Sequence, residues 1–243
     1  MIEVKWCVVS KGISGLEGAQ EEPIPMFSYL KSQNKKMNGG VLPEYMNCYA
    51  LMEFCKNAFV ITSPITINIT FDWDKKHAFI DNFTQHFFDS FFKVREEFGV
   101  DRLGITLPPR LVFFSDESVT IETMPLLVLS NLSPLHNKLS FVTGKFNIGK
   151  WVRPIDISGE LFNGVSEINI KRGDPLFIVR FQSGDKEVKL KRVYEDNKLV
   201  RAMAECADLK IFRQATPLNK CYELLDGFLR HLGFKNKIKK EKK

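Results

Sequence analysis

Several short segments of the chain alternate apolar with polar residues, a pattern typical of strands with one buried face. The clearest is residues 65–73, where isoleucines and Phe71 alternate with asparagine, threonine and aspartate. Residues 74–76 supply a turn that makes this segment the first arm of a hairpin. In the first hundred residues, the pattern predicts strands over residues 3–9, 59–61, 65–73 and 77–80.

Residues 101–190 continue the same pattern, with turn residues such as Pro108-Pro109 and Asn163-Gly164 between the apolar segments. Short strands at this spacing are typical of an antiparallel sandwich or a partly closed barrel. The strands predicted here are residues 104–107, 110–114, 119–129, 139–143, 151–157, 167–170 and 176–182.

Helical spacing appears around the middle of the chain and near its end. Phe83, Phe87 and Phe91, followed by Val94 and Phe98, predict a Phe-rich helix over residues 82–98 that packs on the sheets. A short helix is predicted over residues 45–56. At the C-terminal end we predict one helix over 194–212 and a second one that starts after Thr216-Pro217 and ends near Gly233.

These elements predict an α+β fold that is mostly β. Residues 1–190 are expected to form a single β-rich domain, with the helix near 82–98 inserted into it. Residues 191–234 are expected to be a helical segment packed on that domain, and 235–243 a basic disordered tail. Residues 19–44 contain three prolines and two glycines, which predict a long irregular connection.

The charge of the chain is concentrated in that tail. Of the formal net charge of +6, the last nine residues supply +5, from six lysines and one glutamate. The nearly neutral body excludes a protein that coats nucleic acid over its whole surface. The tail is expected to be solvated, and its functional alternative is a weak, sequence-blind contact with nucleic acid. The lysines concerned are Lys235, Lys237, Lys239, Lys240, Lys242 and Lys243.

Other residue types narrow the classes further. The five cysteines are scattered and form no CxxC pair, which predicts free, mostly buried thiols in a reducing compartment. The four histidines have no spacing that favours a metal, and no phosphate-binding glycine loop occurs, so we expect no cofactor and no metal. The N-terminus has no secretory signal pattern, and no apolar run approaches the ~18 residues of a membrane helix, so no membrane partner is expected. The richest apolar run is residues 124–129. The 21 phenylalanines predict an aromatic core rather than a stacking surface.

One segment concentrates residues that could bind an anion. Strand alternation over residues 151–157 places Trp151 and Arg153 on one face, where the guanidinium could hold an anion. Asp156 and Glu160 follow closely. The structural alternative is that Arg153 stacks on Trp151 or pairs with Asp156 or Glu160, and we expect this second outcome.

The segment Ile168-Asn-Ile-Lys-Arg-Gly-Asp-Pro-Leu-Phe-Ile-Val-Arg-Phe181 predicts a strand, a tight turn and a strand. It resembles the closing hairpin of the β-clip fold of the deoxyuridine triphosphatase and deoxycytidine triphosphate deaminase class. The resemblance implies a β-clip-like barrel. The Arg-Ser-Ser and Gly-x-Ile-Asp-x-x-Tyr segments of that class do not occur, so its nucleotide chemistry is not carried over.

A second resemblance covers more of the chain. It is carried by Asn47-Cys48-Tyr49-Ala50, Phe59-Val-Ile-Thr-Ser-Pro64, Pro108-Pro-Arg110, Trp151-Val-Arg-Pro154 and Arg172-Gly-Asp-Pro-Leu176. In this order the blocks resemble a group of uncharacterised tailed-phage proteins, mainly from marine phages. Tyr49 departs from the Cys-Pro-Ala of those proteins. The resemblance implies a viral protein located in the host cytoplasm or the virion, and it supplies no activity.

The leading hypothesis is a non-enzymatic phage protein, a binding or structural component used during infection. Its partners would be a second copy of itself or a phage or host protein. The alternative is a small-molecule, nucleotide-like enzyme or sensor on a β-clip-like scaffold. In that case the ligand site would be formed by Trp151, Arg153, Asp156, Glu160 and Asp174. A deep pocket with Arg153 and a carboxylate of shifted pKa would favour the enzyme. A large exposed apolar patch would favour the binding component.

Overall fold

The computed structural model describes residues 1–9, 16–39, 43–81, 93–95, 103–107, 111–212 and 216–231. The strands are β1 (Ile2–Val8), β2 (Ile24–Pro25), β3 (Ala58–Thr62), β4 (Ile67–Asp72), β5 (His77–Ile80), β6 (Lys93–Arg95), β7 (Gly104–Leu107), β8 (Leu111–Phe114), β9 (Thr120–Met124), β10 (Leu139–Val142), β11 (Gly144–Asn147), β12 (Ile157–Leu161), β13 (Glu167–Ile170), β14 (Pro175–Gln182) and β15 (Val188–Arg192). The helices are α1 (Leu16–Ala19), α2 (Met26–Asn38), α3 (Tyr49–Cys55), α4 (Asn197–Phe212) and α5 (Leu218–His231), with 3₁₀ turns at Glu44–Asn47 and Ser130–Leu132.

The strands form four sheets. Sheet I has the order β15-β1-β8, sheet II β10-β12-β7-β6, sheet III β11-β9-β14-β3-β2 and sheet IV β13-β4-β5. All described pairs are antiparallel except β1 with β15, which run parallel with Ile2 opposite Val188. None of these sheets closes into a barrel within the described residues. The predicted α+β, mostly β fold is therefore confirmed, in its sandwich form.

The main core lies between the inner faces of the four sheets. Along β1 the residues Ile2, Val4, Trp6 and Val8 all point into it, which is the period of two expected of a strand with one face in the core. Phe113 on β8 and Phe181 on β14 meet edge to face, with ring centroids 5.5 Å apart. The expected aromatic core is thus present in the described residues.

The outer face of sheet I is covered by the two C-terminal helices. Cys7, Val112 and Phe114 of the sheet pack with Leu199 of α4 and Leu225 of α5 in a second apolar cluster. Two C-terminal helices were expected from the sequence, and both form and pack on the strands. The last strand, β15, ends at Arg192, two residues beyond the end of the β-rich domain predicted at residue 190.

The outer face of sheet III is covered by α2 and α3. Met26, Tyr29 and Leu30 of α2 form a third apolar cluster with Val60 of β3 and Ile178 of β14. The prediction of an irregular connection over residues 19–44 is therefore wrong for α2. Its apolar residues follow helical spacing, and the prolines and glycines that suggested a loop stand around the helix. Pro25 immediately precedes it, and Gly39, with φ of 65°, ends it.

The predicted Phe-rich helix over 82–98 is wrong where the structure describes it. Lys93–Arg95 is the strand β6, in which Val94 pairs antiparallel with Ile105 of β7. A polar-apolar-polar triplet fits a strand as well as a helix, and the partner strand decides between them. Residues 82–92 and 96–98, with Phe83, Phe87 and Phe91, lie outside the described residues.

Two more strand predictions needed correction, and three further strands were missed. β9 ends at Met124 because Pro125 cannot donate to the next rung. Residues 151–156 are not a strand but a connection that touches β8 through one bridge, Val112 to Pro154. β2, β11 and β15 were not predicted, and of β12 only Ile157 was. Because strands from the first 81 residues pair with β8, β13, β14 and β15, the sandwich is not confined to residues 101–190.

Gly159 allows β10 to approach β12 closely. A Cβ atom at this position would lie 2.5 Å from the carbonyl oxygen of Ser140 and 2.6 Å from Cγ of Leu139. We expect Gly159→Ala to lower the free energy of unfolding by about 1–3 kcal/mol through overpacking, measured by chemical denaturation. Gly144→Ala is the matched control, because no atom lies within 4 Å of its added methyl. Equal stability of the two variants would contradict this packing.

Candidate functional site

Trp151 is a core residue in the structure. Its side chain is 4% exposed and meets the ring of Tyr222 edge to face at 5.9 Å. The next residue, Val152, donates its backbone N–H to Sγ of Cys206 at 3.3 Å, which fixes the segment against α4. Ile155 packs in the main core instead. The strand that was to place Trp151 and Arg153 on one face, with Ile155 two residues further on, does not form, so that prediction is wrong.

The guanidinium of Arg153 forms its ion pair and hydrogen bond with residues close to it in the chain. Nη2 of Arg153 lies 3.4 Å from Oδ2 of Asp156, and Nε donates to the carbonyl oxygen of Pro154 at 3.2 Å. The guanidinium carbon also lies 5.3 Å from the centroid of the Phe146 ring. Both charged side chains are about one-third exposed, at 32% and 34%. An anion would have to compete with Asp156 for the guanidinium, so this arrangement fits the structural alternative.

The other two candidate residues lie in different surroundings. Glu160 is half-buried on β12, opposite Ser140 of β10. Asp174 stabilises the turn before β14, since Oδ2 accepts the backbone N–H of Lys171 at 2.7 Å and its carbonyl accepts that of Ser63 at 2.9 Å. The candidate tail lysines lie outside the described residues.

The titratable groups whose pKa values are clearly raised, among the described residues, are Tyr29, Cys55 and Cys206, and all three are buried in apolar clusters. Burial, with a contribution from the negative charge of Asp174, raises the pKa of Tyr29 to about 12. Burial likewise raises the pKa of the Cys206 thiol to about 11. A thiol with such a pKa is a poor nucleophile at neutral pH. Of the five free cysteines only Cys48 is exposed, so the expectation of mostly buried thiols is confirmed.

The described residues contain neither a cluster of metal-binding side chains nor a membrane-spanning helix. No group of three or more His, Cys, Asp or Glu residues is placed to hold a metal ion within the described ranges. No described helix has the length and apolar character needed to cross a membrane. The structure instead draws attention to a surface beside β10.

A cavity of about 210 Å³ opens beside β10. Six apolar residues line it: Pro125, Leu126, Leu135, Leu139, Phe141 and Phe162. Ser130, Ser133, His136 and Asn137 complete the lining, which includes no Asp, Glu, Lys or Arg among the described residues. Small-molecule sites usually measure about 300–1,000 Å³, so this cavity is nearer the size of one or two side chains.

Three exposed apolar side chains lie in the cavity lining or next to a lining residue in the chain: Phe162 lines the cavity, Leu127 follows Leu126, and Val142 follows Phe141 on the other face of β10. Leu127 is 57% exposed, Val142 53% and Phe162 47%. We call these three residues, with the cavity and the strand β10, the β10 surface. Sequence analysis missed it because the apolar run 124–129 was assigned to a strand. The signal was present, since a run that continues past a strand-ending proline must place some apolar side chains outside the sheet.

The loop beside the cavity has a strained backbone. Leu129 adopts the left-handed conformation, with φ of 55°. This conformation costs a residue with a bulky side chain about 1–2 kcal/mol. Leu126, on the same loop, is anchored in the cluster under α2. The loop is therefore held in one conformation by packing, which preforms the cavity.

Arg153→Lys tests whether an anion binds at Arg153. Because the guanidinium contacts Asp156, Pro154 and Phe146, we expect this variant to lose about 0.5–1.5 kcal/mol of stability. Inorganic phosphate and deoxyuridine triphosphate should leave the melting temperature of both proteins unchanged. Arg172→Lys, at an exposed arginine, is the control and should be neutral. A rise in the wild-type melting temperature with either compound, absent in Arg153→Lys, would reinstate the anion site.

Tyr29 makes the free energy of unfolding decrease as the pH rises through the alkaline range. The unfolded phenol ionises near pH 10 and the folded one near 12, so its stabilising contribution is complete below pH 10 and is lost as the pH rises to 12 and beyond. At pH 12 wild type should have lost about 2 kcal/mol more than Tyr29→Phe, measured by denaturant titration at each pH. Tyr49→Phe, at a 72% exposed side chain, should keep the wild-type pH dependence. Identical pH profiles for wild type and Tyr29→Phe would contradict this assignment.

Comparisons of this chain with protein-family models, with curated proteins and with solved structures find no match. The function is therefore inferred from the chemistry of the described residues at the protein surface. Of the arrangements described above, Arg153 with Asp156 is a compensated ion pair, and the thiols with clearly raised pKa values are buried. The β10 surface combines exposed apolar side chains with a preformed cavity.

Proposed function

We propose that this protein is a non-enzymatic binding or structural component used by a tailed phage during infection, in the host cytoplasm or the virion. Its working part is the β10 surface, which holds another protein chain. The observation that carries the proposal is one apolar cavity whose lining includes the exposed Phe162, with the exposed Leu127 and Val142 next in the chain to lining residues. Clustered exposed apolar residues are typical of protein interfaces.

The composition of the cavity favours binding over catalysis. Acid–base and nucleophilic catalysis need a titratable or nucleophilic group within hydrogen-bond reach of a bound substrate. The lining offers one imidazole and two hydroxyls, and Ser133 uses its hydroxyl on backbone groups, accepting from Leu135 N–H at 3.3 Å. An apolar side chain of a partner, by contrast, would find apolar contacts on several sides. The phage setting rests on the resemblance of the sequence blocks.

A photo-crosslinking amino acid at position 127 tests the binding function in infected host cells. We expect adducts of one discrete mass, because a specific partner presents one surface to Leu127. Phe162→Lys in the same chain should abolish these adducts, since a charge at the rim of the cavity opposes the loss of water on binding.

The same photo-crosslinking amino acid at position 224 is the matched control. Leu224 on α5 is 58% exposed, almost equal to Leu127, and it lies on a different element. It should give no discrete adduct. Equal labelling from both positions, or adducts from 127 that persist in Phe162→Lys, would contradict a specific binding surface.

A further inference from the structure

The strand β10 lies at the edge of sheet II, and its backbone directions can be derived from the ladder. The N–H of Phe162 donates to the carbonyl of Lys138 at 3.1 Å, and Ser140 pairs with Glu160 two rungs further on. Hydrogen-bonded and non-hydrogen-bonded rungs alternate in antiparallel pairs. Residues 138, 140 and 142 therefore point their backbone groups at β12. Leu139, Phe141 and Thr143 point theirs away from the sheet.

The outward groups differ in their availability for another strand. The N–H of Leu139 is already used, because it donates to the carbonyl oxygen of Leu135 at 3.2 Å. In the described part of the chain, no strand besides β12 pairs with β10, so the outward N–H and C=O of Phe141 have no strand partner there. An unpaired row of this kind is a template for adding a strand from another chain.

The edge also lacks the usual protection against such pairing. Proteins protect edge strands with charged residues, prolines or bulges. Several other edge strands follow that rule: β15 carries Lys189 and Lys191, β11 carries Lys145, and β2 ends in Pro25. The edge strands β5 and β8 carry neither Lys, Arg, Asp, Glu nor proline, but residues 154 and 155 hydrogen-bond to the open edge of β8. Residues 139–143, Leu-Ser-Phe-Val-Thr, contain neither a charge nor a proline, and their register with β12 is regular.

We infer that β10 pairs antiparallel with β10 of a second copy of this chain, which joins two copies of sheet II into one continuous sheet. The inference rests on the proposed function and names its partner. The two-fold axis passes beside Phe141, so that residues 139–143 face 143–139. In this register the N–H and C=O of Phe141 pair with those of Phe141 in the second copy, and Thr143 faces Leu139, which contributes its C=O because its N–H donates to Leu135.

The charges around the edge are compatible with this pairing. Within the paired stretch no charged side chain meets another. Just outside it, Lys138 faces Gly144 of the second copy, and Lys145 faces Asn137, so that like charges are not brought opposite each other. Pairing through β15 would instead bring its lysines against those of the other copy. On the outer face, exposed Val142 is partly covered by Ser140 of the second copy, and on the inner face the two Phe141 rings become neighbours.

Sedimentation velocity of the full chain at about 1–100 μM tests the dimer. A short strand contact gives a weak interface, so we expect a concentration-dependent shift from the 28.0 kDa monomer to a species of twice that mass. Thr143→Pro removes an outward N–H and places a proline ring at the contact. Thr143 is exposed, so this change leaves the core side chains in place. We expect it to remain monomeric at 100 μM with the melting temperature of the wild-type monomer.

A second variant and a site-specific measurement complete the test. Val142→Lys places a charge on the outer face of the edge and should weaken the dimer at least tenfold, whereas Leu224→Lys, of similar exposure, should leave it intact. In wild type, hydrogen exchange of the Phe141 amide should slow with rising protein concentration. That of Ser140, which donates to β12, should not depend on concentration.

The outcomes separate this inference from the proposed function. A chain that stays monomeric at 100 μM, or a dimer that persists in both Thr143→Pro and Val142→Lys, would overturn pairing through β10. If position 127 then still gives discrete adducts with another protein, the binding function stands and its partner is a different chain. Loss of those adducts together with a monomeric chain would overturn both.

Discussion

The structure depends on the burial of β14 on both faces. Phe177, Val179 and Phe181 point from one face into the main core, while Ile178 points from the other into the cluster under α2. A strand of an antiparallel sheet can often leave one face in water, but this one cannot. The sheets must therefore close over its inner face and a helix must cover its outer face, and β3 and β9 must flank it to satisfy its backbone.

The sequence predicts most of the strands but not what covers the sheets. Alternation located β4, β5 and β13 to within two residues, because each has one face in the core and one toward the surface. β7 was located as well, although all four of its residues are buried. Alternation failed for α2, because this helix begins after a proline and ends at a glycine, and both residue types are also common in loops. It failed again at β6, since three residues carry too little pattern to choose a conformation before a partner strand is known.

The candidate site shows a different limit of sequence reasoning. Arg153 and Asp156 are three residues apart, and their pairing could be expected from the sequence. Asp174 instead accepts a hydrogen bond within a turn and raises the pKa of Tyr29 on α2 through its negative charge. The second effect depends on how the helix lies on the sheet. The β10 surface combines residues 125–127 with 139–142 and 162. Only the tertiary fold brings these segments together, because each alone resembles ordinary strand or loop.

The parallel pairing of β1 with β15 determines when sheet I can form during synthesis. β1 is synthesised before both of its partners, residues 111–114 on one side and residues 188–192 on the other. At a translation rate of about 5–20 residues per second, β1 waits about 10–40 s for the second of these partners. During that time Trp6 and its neighbours have no finished core to enter. β1 therefore remains an apolar strand with an open edge until residues 188–192 have been synthesised.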